Sequence, residues 1–276
     1  MKTLAEKAQY FQSLHTQSGC FVIPNPWDAG SAKMLASLGF EALATTSAGL
    51  SSSLGLPDGQ GLISKEAALL NARDIVLATD LPVSADLENG FHHHADGVFD
   101  TIKTAGDIGL VGASIEDASG NADQPIYAFE LAVERIRAAT EAKQAMPFPF
   151  MLTARAENFC HGISDLNDTI KRLQAFQEAG ADVLYAPGLT NLQDIKTLVA
   201  EVDRPVNVVM GLSGVNFTVQ ALTEVGVKRI SLGSSLHRAA FGSLLSSANE
   251  ILNEGTFRFA EKAVSFTELD TIFKEN

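Results

Sequence analysis

The chain has 276 residues, 46% of them hydrophobic, enough to bury a large core as one α/β domain or two smaller ones. A formal charge of −13 argues against a nucleic-acid backbone as partner, because phosphate binding calls for a basic surface. No apolar run approaches the ~20 residues of a membrane span, the opening segment lacks a signal-peptide core, and the two cysteines, Cys20 and Cys160, lack the spacing of a disulfide framework or zinc cluster. No membrane partner and a cytoplasmic location are therefore expected.

A helix is predicted from about Leu4 to Ser18. From Cys20 onward one phrase repeats: a short apolar β-type run, a polar or glycine-containing turn, then a stretch with helical periodicity. The runs are CFVIP (20–24), EALATTS (41–47), PVSADLE (82–88), VGASIED (111–117), FMLTARAE (150–157), DVLYAP (182–187), PVNVVM (205–210) and RISLGS (229–234). Amphipathic segments at 64–80, 127–144 and 165–180 lie between them. Eight alternating units imply right-handed crossovers, a parallel sheet and closure into a (β/α)8 TIM barrel, one domain over residues 1–276. The competing doubly wound sheet has fewer repeats, and no GxGxxG follows the first strand. The tail after Gly255 is rich in phenylalanine and is expected to dock on the barrel bottom or on another subunit.

In such a barrel the chemistry sits at the C-terminal strand ends. Those ends carry Thr45, Thr46, Ser47, Ala48 and Gly49 on the second strand, Asp86 and Glu88 on the third, and Glu116 and Asp117 on the fourth. The fifth ends with Arg155 and Glu157, the seventh with Asn207. Alternation along a strand is expected to turn Asp86 and Glu88 to the same side, where two anions repel unless a cation sits between them. Converging acids with an amide and hydroxyls nearby form an oxygen-rich set that suits Mg²⁺ or Mn²⁺, held partly through water. Arg155 offers a guanidinium fork for a substrate carboxylate or phosphonate, and is also placed to pair with Glu157 or Glu116. The Ser47 turn offers backbone N–H groups that could cradle an anion.

The segments NPWDAGSAKMLASLGFEALATTSAGLSSSLGLPDG, DLENGF, IEDAS, LTARAE and RPVNVV, in this order and spacing, resemble the isocitrate lyase and phosphoenolpyruvate mutase superfamily from about Asn25 to Gly255. The resemblance implies a (β/α)8 barrel that binds Mg²⁺ and acts on oxo or hydroxy carboxylates through an enolate-like intermediate. It implies Asp86 as direct metal ligand, with Asp58, Glu88 and Glu116 holding the ion through water. It further implies Ser47, Ala48 and Gly49 at the substrate carboxylate, Trp27 and Asp28 near the pocket wall, Arg155 and Asn207 as substrate-binding groups, and Arg155 with Glu116 as the catalytic pair. Homo-oligomers, commonly tetramers that exchange a C-terminal helix, are also implied.

One region departs from the family pattern. The segment after the fourth strand, EDASGNADQPIYAFE, contains no cysteine, lysine or histidine, and Pro187 stands at the sixth strand end where relatives carry a glutamate or histidine. Isocitrate cleavage and phosphonomutation are accordingly disfavoured, whereas decarboxylation asks least of the missing groups. His92, His93 and His94, Cys160, His161 and Tyr127 are the remaining polar candidates, with Cys160 expected as a small buried residue. The expected function is a Mg²⁺-dependent carbon–carbon lyase or decarboxylase acting on a small anionic oxo or hydroxy acid. Hydrolysis of a C–C or C–P bond in an oxo acid, and a non-catalytic carboxylate binder, are the alternatives.

Overall fold

A computed structural model describes residues 2–212 and 214–274. The strands are β1 (Phe21–Ile23), β2 (Leu43–Ala44), β3 (Val83–Asp86), β4 (Gly112–Glu116), β5 (Ala118–Asn121), β6 (Gln124–Ile126), β7 (Met151–Arg155), β8 (Val183–Tyr185), β9 (Val206–Val209) and β10 (Arg229–Ser231). The helices are α1 (Leu4–Leu14), α2 (Ala29–Ser37), α3 (Ser47–Ser53), α4 (Lys65–Leu77), α5 (Ala95–Asp107), α6 (Phe129–Gln144), α7 (Leu166–Glu178), α8 (Leu192–Ala200), α9 (Val219–Glu224), α10 (Ser235–Glu254) and α11 (Phe266–Lys274).

Eight strands pair in parallel in the order β1-β10-β9-β8-β7-β4-β3-β2. The two edges meet where the Ala44 N–H donates to the Pro24 carbonyl at 3.0 Å, and this link nearly closes the barrel. Asn25 reinforces it: its Nδ2 donates to the Thr45 carbonyl at 2.9 Å, while its Oδ1 accepts from the Leu232 and Gly233 amides at 2.8 and 3.0 Å. All eight sequence-predicted strands are present. The outer helices bury one stripe each, as α5 does with Val98, Thr101, Ile102, Ala105 and Gly106.

The N-terminal helix has a structural task. Thr3 and Glu6 form a reciprocal capping box at its start, so two otherwise unsatisfied amides find partners. Its buried residues Ala8, Phe11 and Leu14 pack against Phe21, Ala42, Val111, Met151 and Val183, which lie at or beside the N-terminal ends of the strands, and against Ile23 of β1. The floor of the barrel is thus plugged by α1. The helix stops at Leu14 rather than Ser18, because a turn leads into Gly19 at φ 78°.

The tail does not cover the floor. It continues from α10 through a 3-10 turn (Arg258–Lys262) into α11, which packs on the outer helix α2, where Lys33 Nζ donates to the Phe273 carbonyl at 3.3 Å. Leu244, Leu245 and Leu252 of α10 and Phe266 of α11 leave apolar side chains exposed along this segment. A further difference lies after β4. The segment that lacks cysteine, lysine and histidine folds as the antiparallel hairpin β5–β6, its turn fixed by Asn121 Oδ1 accepting from the Asp123 amide at 2.9 Å.

Candidate active site

The site is built where β2, β3, β4 and β7 end. Chain geometry at the close of β3 differs from the alternation argument. The strand ends at Asp86, and the backbone turns into the left-handed region at Glu88 (φ 48°), Gly90 (φ 76°) and Phe91 (φ 56°). Glu88 therefore reaches Asp86 by a turn and not by strand periodicity. The Glu88 amide donates to Asp86 Oδ1 at 3.3 Å.

Asp86 is the hub. Its Oδ1 also accepts from Arg155 Nη1 at 2.9 Å and Ser114 Oγ at 3.4 Å, and its Oδ2 accepts from the Ser47 amide at 3.3 Å and hydroxyl at 2.8 Å. The Asp86 amide donates to Thr45 Oγ1 at 3.0 Å. Thr46 caps α3 by accepting from the Gly49 amide at 3.2 Å, so the Thr45–Gly49 turn is locked in place beside the acid. Gly49 itself fits because a Cβ there would stand 2.5 Å from Thr46 Cγ2 and 3.2 Å from Trp27 Cβ.

Arg155, the last residue of β7, supplies the positive charge among the acids. Its guanidinium contacts Asp86 and Glu116 at 2.9 Å each and Glu157 at 2.8 Å, and it lies 5.2 Å from the centroid of the Tyr185 ring. Burial opposes that charge, yet Glu116, Glu157 and Asp86 together hold the Arg155 pKa well above its ordinary value. The acids show the reverse strain. Burial, then repulsion from Asp86 and Asp58, pushes Glu88 up to about 7; burial and Asp86 raise Asp58; and burial raises Glu116 well above the usual range.

Five carboxylates, Asp58, Asp86, Glu88, Glu116 and Glu157, thus share one guanidinium. This oxygen-only, under-neutralised set fits a hard divalent cation. Among the described residues no three His, Cys, Asp or Glu side chains form a ready-made cage.

Asp58 and Asp86 open onto a cavity of about 260 Å³ inside the barrel. Asp58, Asp86, Ser47, Ala48, Arg155 and Asn207 line it, as do Tyr185 and Arg229, which sequence reasoning missed. Reading only the strand ends hides Arg229, the first residue of β10; a charged residue opening a predicted strand was the available signal. Asn207 is buried, its Oδ1 accepting from Arg229 Nε at 2.9 Å and its Nδ2 donating to Ser231 Oγ at 3.0 Å.

Other candidates stand away from the cavity. Trp27 buttresses Gly49 and makes an edge contact with His237 at 5.0 Å. Asp28 caps α2 through Ser31 at 2.7 Å. Asp117 is a buried structural acid that accepts from Arg172 at 3.0 Å and from the Glu157 amide at 2.8 Å. His93 Nδ1 meets the Tyr127 hydroxyl at 2.7 Å, and Arg135 pins the loop beneath by donating to the His92 and His93 carbonyls. Cys160 is exposed on the 3-10 turn Phe159–His161 and is not the buried thiol expected.

Comparison with known proteins agrees with this architecture. Residues 11–252 match the phosphoenolpyruvate phosphomutase family. A solved structure from Burkholderia cenocepacia J2315, provisionally described as a lyase/mutase, is 52% identical, covers 98% of this chain and 96% of its own, and superposes with a TM-score of 0.95. The 2-methylisocitrate lyase of Shewanella oneidensis is 29% identical over 81% of this chain and 78% of its own length. The fold alone is shared with a phosphonopyruvate hydrolase complexed with oxalate and Mg²⁺, at 22% identity, 98% and 95% coverage and a TM-score of 0.87. With eight parallel strands in a nearly closed barrel and a match spanning most of its length, the chain belongs to the phosphoenolpyruvate mutase/isocitrate lyase superfamily.

Proposed function

We propose that this protein is a Mg²⁺-dependent lyase acting on a small 2-oxo or 2-hydroxy carboxylate, by carbon–carbon cleavage or oxaloacetate-type decarboxylation. The observation that carries the reading is the excess of carboxylate over guanidinium around Arg155, where Asp58 and Asp86 at the cavity, with the half-buried Glu88 and Glu116 beside them, would hold the ion. Mg²⁺ bound there supplies a fixed positive charge beside oxygens on which negative charge develops.

The chain's own residues prepare that environment. Ser47 holds one oxygen of Asp86 while Arg155 holds the other, so the carboxylate plane is set before any ligand enters. Arg155 also ties Glu116 and Glu157 to the same point. The Arg155, Asp86 and Glu116 side chains are only 15, 19 and 16% exposed, and this partial burial strengthens each of these interactions. Tyr185 faces the cavity beside Arg155, and burial raises its pKa, so the phenol keeps its proton at neutral pH. The exposed apolar side chains of α10 and α11 suit a second copy of the chain, and a homo-oligomer in solution is part of this reading.

The test is incubation of Mg²⁺-loaded protein with a panel of oxo acids, hydroxy acids and phosphonates, with mass detection of products. Turnover of an oxo or hydroxy dicarboxylate that is abolished by EDTA and by Asp86→Ala is expected. Hydrolysis products from a C–C or C–P bond would move the assignment to the hydrolase class. A Mg²⁺-dependent rise in melting temperature with oxalate, without turnover of any compound, would make the protein a binder.

A further inference from the structure

One register-paired row of side chains crosses five strands: Glu116 opposite Arg155, Arg155 opposite Tyr185, Tyr185 opposite Asn207, and Asn207 opposite Arg229. The row starts at the C-terminal ends of β4 and β7 and finishes at the N-terminal start of β10. Barrel stagger converts this hydrogen-bonded row into a descent from mouth to floor. Arg155, Tyr185, Asn207 and Arg229 all line the same cavity.

Arg229 at the lower end is 5% exposed. Its partners are all neutral: Nε donates to Asn207 Oδ1 at 2.9 Å, Nη2 to Thr153 Oγ1 at 2.9 Å, and Nη1 faces His15 Nε2 at 3.4 Å. His15 Nδ1 lies 2.9 Å from the Phe11 carbonyl, and the tautomer with its proton there leaves Nε2 as an acceptor for the arginine. Three of the five guanidinium N–H bonds therefore have partners, and two are spare. Burial lowers the Arg229 pKa to about 10, and among the described residues no carboxylate pairs with its guanidinium. A buried cation without an anion is costly, and an arriving anion would supply what the protein leaves out. Ser231 adds a further donor: its hydroxyl accepts from Asn207, so its own proton is available to the cavity.

Because Arg229 reaches Thr153, its head lies one inward layer below Arg155 on β7, roughly 6–7 Å lower at about 3.3 Å per residue. That separation suits a ligand with an anionic group at each end. We propose that Arg229 and Ser231 form an anion subsite on the cavity floor, which receives the second carboxylate of a dicarboxylate whose oxo or hydroxy end is held at the mouth. The inference rests on the mouth reading given under the proposed function, and it makes Arg229 the residue that separates dicarboxylates from monocarboxylates.

Calorimetric titration with malate and with lactate in Mg²⁺ tests it, using wild type, Arg229→Met and Ser231→Ala. Wild type is expected to bind malate at least tenfold more tightly than lactate. Arg229→Met should lose that tenfold margin with lactate affinity unchanged within twofold, and Ser231→Ala should lose about threefold for malate alone. An undiminished malate-to-lactate ratio in folded Arg229→Met overturns the subsite; should that variant not fold, an undiminished ratio in Ser231→Ala does so. If wild type binds neither these acids nor oxalate, the mouth reading fails, and the floor is judged by crystals grown in bromide. An anomalous peak within hydrogen-bonding reach of Arg229 supports an anion site there, and its absence overturns it.

Discussion

Arg155 at the mouth and Arg229 at the floor line one cavity, yet the first touches three carboxylates and the second touches none. Around Arg155 negative charge is in excess, and the half-buried Glu88 is pushed up to about 7, chiefly by burial. Around Arg229 positive charge is in excess, and its pKa falls to about 10 for the same reason. One end of the cavity is thus net negative and the other net positive, so a ligand is met by opposite fields along its length.

Substitution of each arginine should separate the two environments. Arg155→Met leaves Asp86, Glu116 and Glu157 without their counter-charge, and a loss of about 3–5 kcal/mol in denaturant unfolding is expected, together with loss of activity. A smaller effect at the mouth comes from Gly49→Ala, whose new methyl would press on Thr46 and Trp27; about 1–3 kcal/mol of destabilisation and a weakened Ser47–Asp86 contact should follow, read by unfolding and by Mg²⁺ affinity.

At the floor the prediction concerns pH. Burial, then the Arg229 charge, lowers His15 to about 3 from an ordinary 6.5. The unfolded chain takes up this proton below pH 6.5 and the folded chain does not until about pH 3, so the contribution is complete above 6.5 and declines as pH falls towards 3. His15→Gln should therefore flatten the stability profile across that window by about 1.4 kcal/mol per pH unit relative to wild type, measured by urea unfolding at a series of pH values. A steeper profile would contradict the placement of a neutral imidazole there. The smallest effect is expected from Arg229→Met. Relief of a buried charge offsets the three lost hydrogen bonds, and unfolding should shift by less than about 2 kcal/mol. A loss as large as that of Arg155→Met would erase the contrast between mouth and floor.

The alternation of apolar runs and amphipathic stretches was sufficient for the barrel, because each βα unit writes its own periodicity into local sequence. The acids at the ends of β3 and β4 were legible for the same reason: strand ends are local features. Arg229 was not, since its place in the cavity follows from barrel stagger, a property of the closed sheet and of no single segment. Trp27 and Gly49 show a different limit. Both lie in the motif that marked the site, yet one props the other through close contact, and only packing reveals which residues face a ligand and which support those that do. The β5–β6 hairpin is not legible in the sequence because its strands are short and half polar.

The seam between β1 and β2 has a consequence for motion. A hoop closed by paired strands around most of its circumference is fastened at this point by the Ala44–Pro24 backbone link and by Asn25 acting as a latch. Thr45 and Ser47 lie one and three residues beyond the fastening, and both hold Asp86. Breathing of the hoop would thus loosen the acid hub directly, and deuterium uptake at the Ala44 amide, compared with that at Leu184 in the middle of the sheet, reads how often the latch lifts.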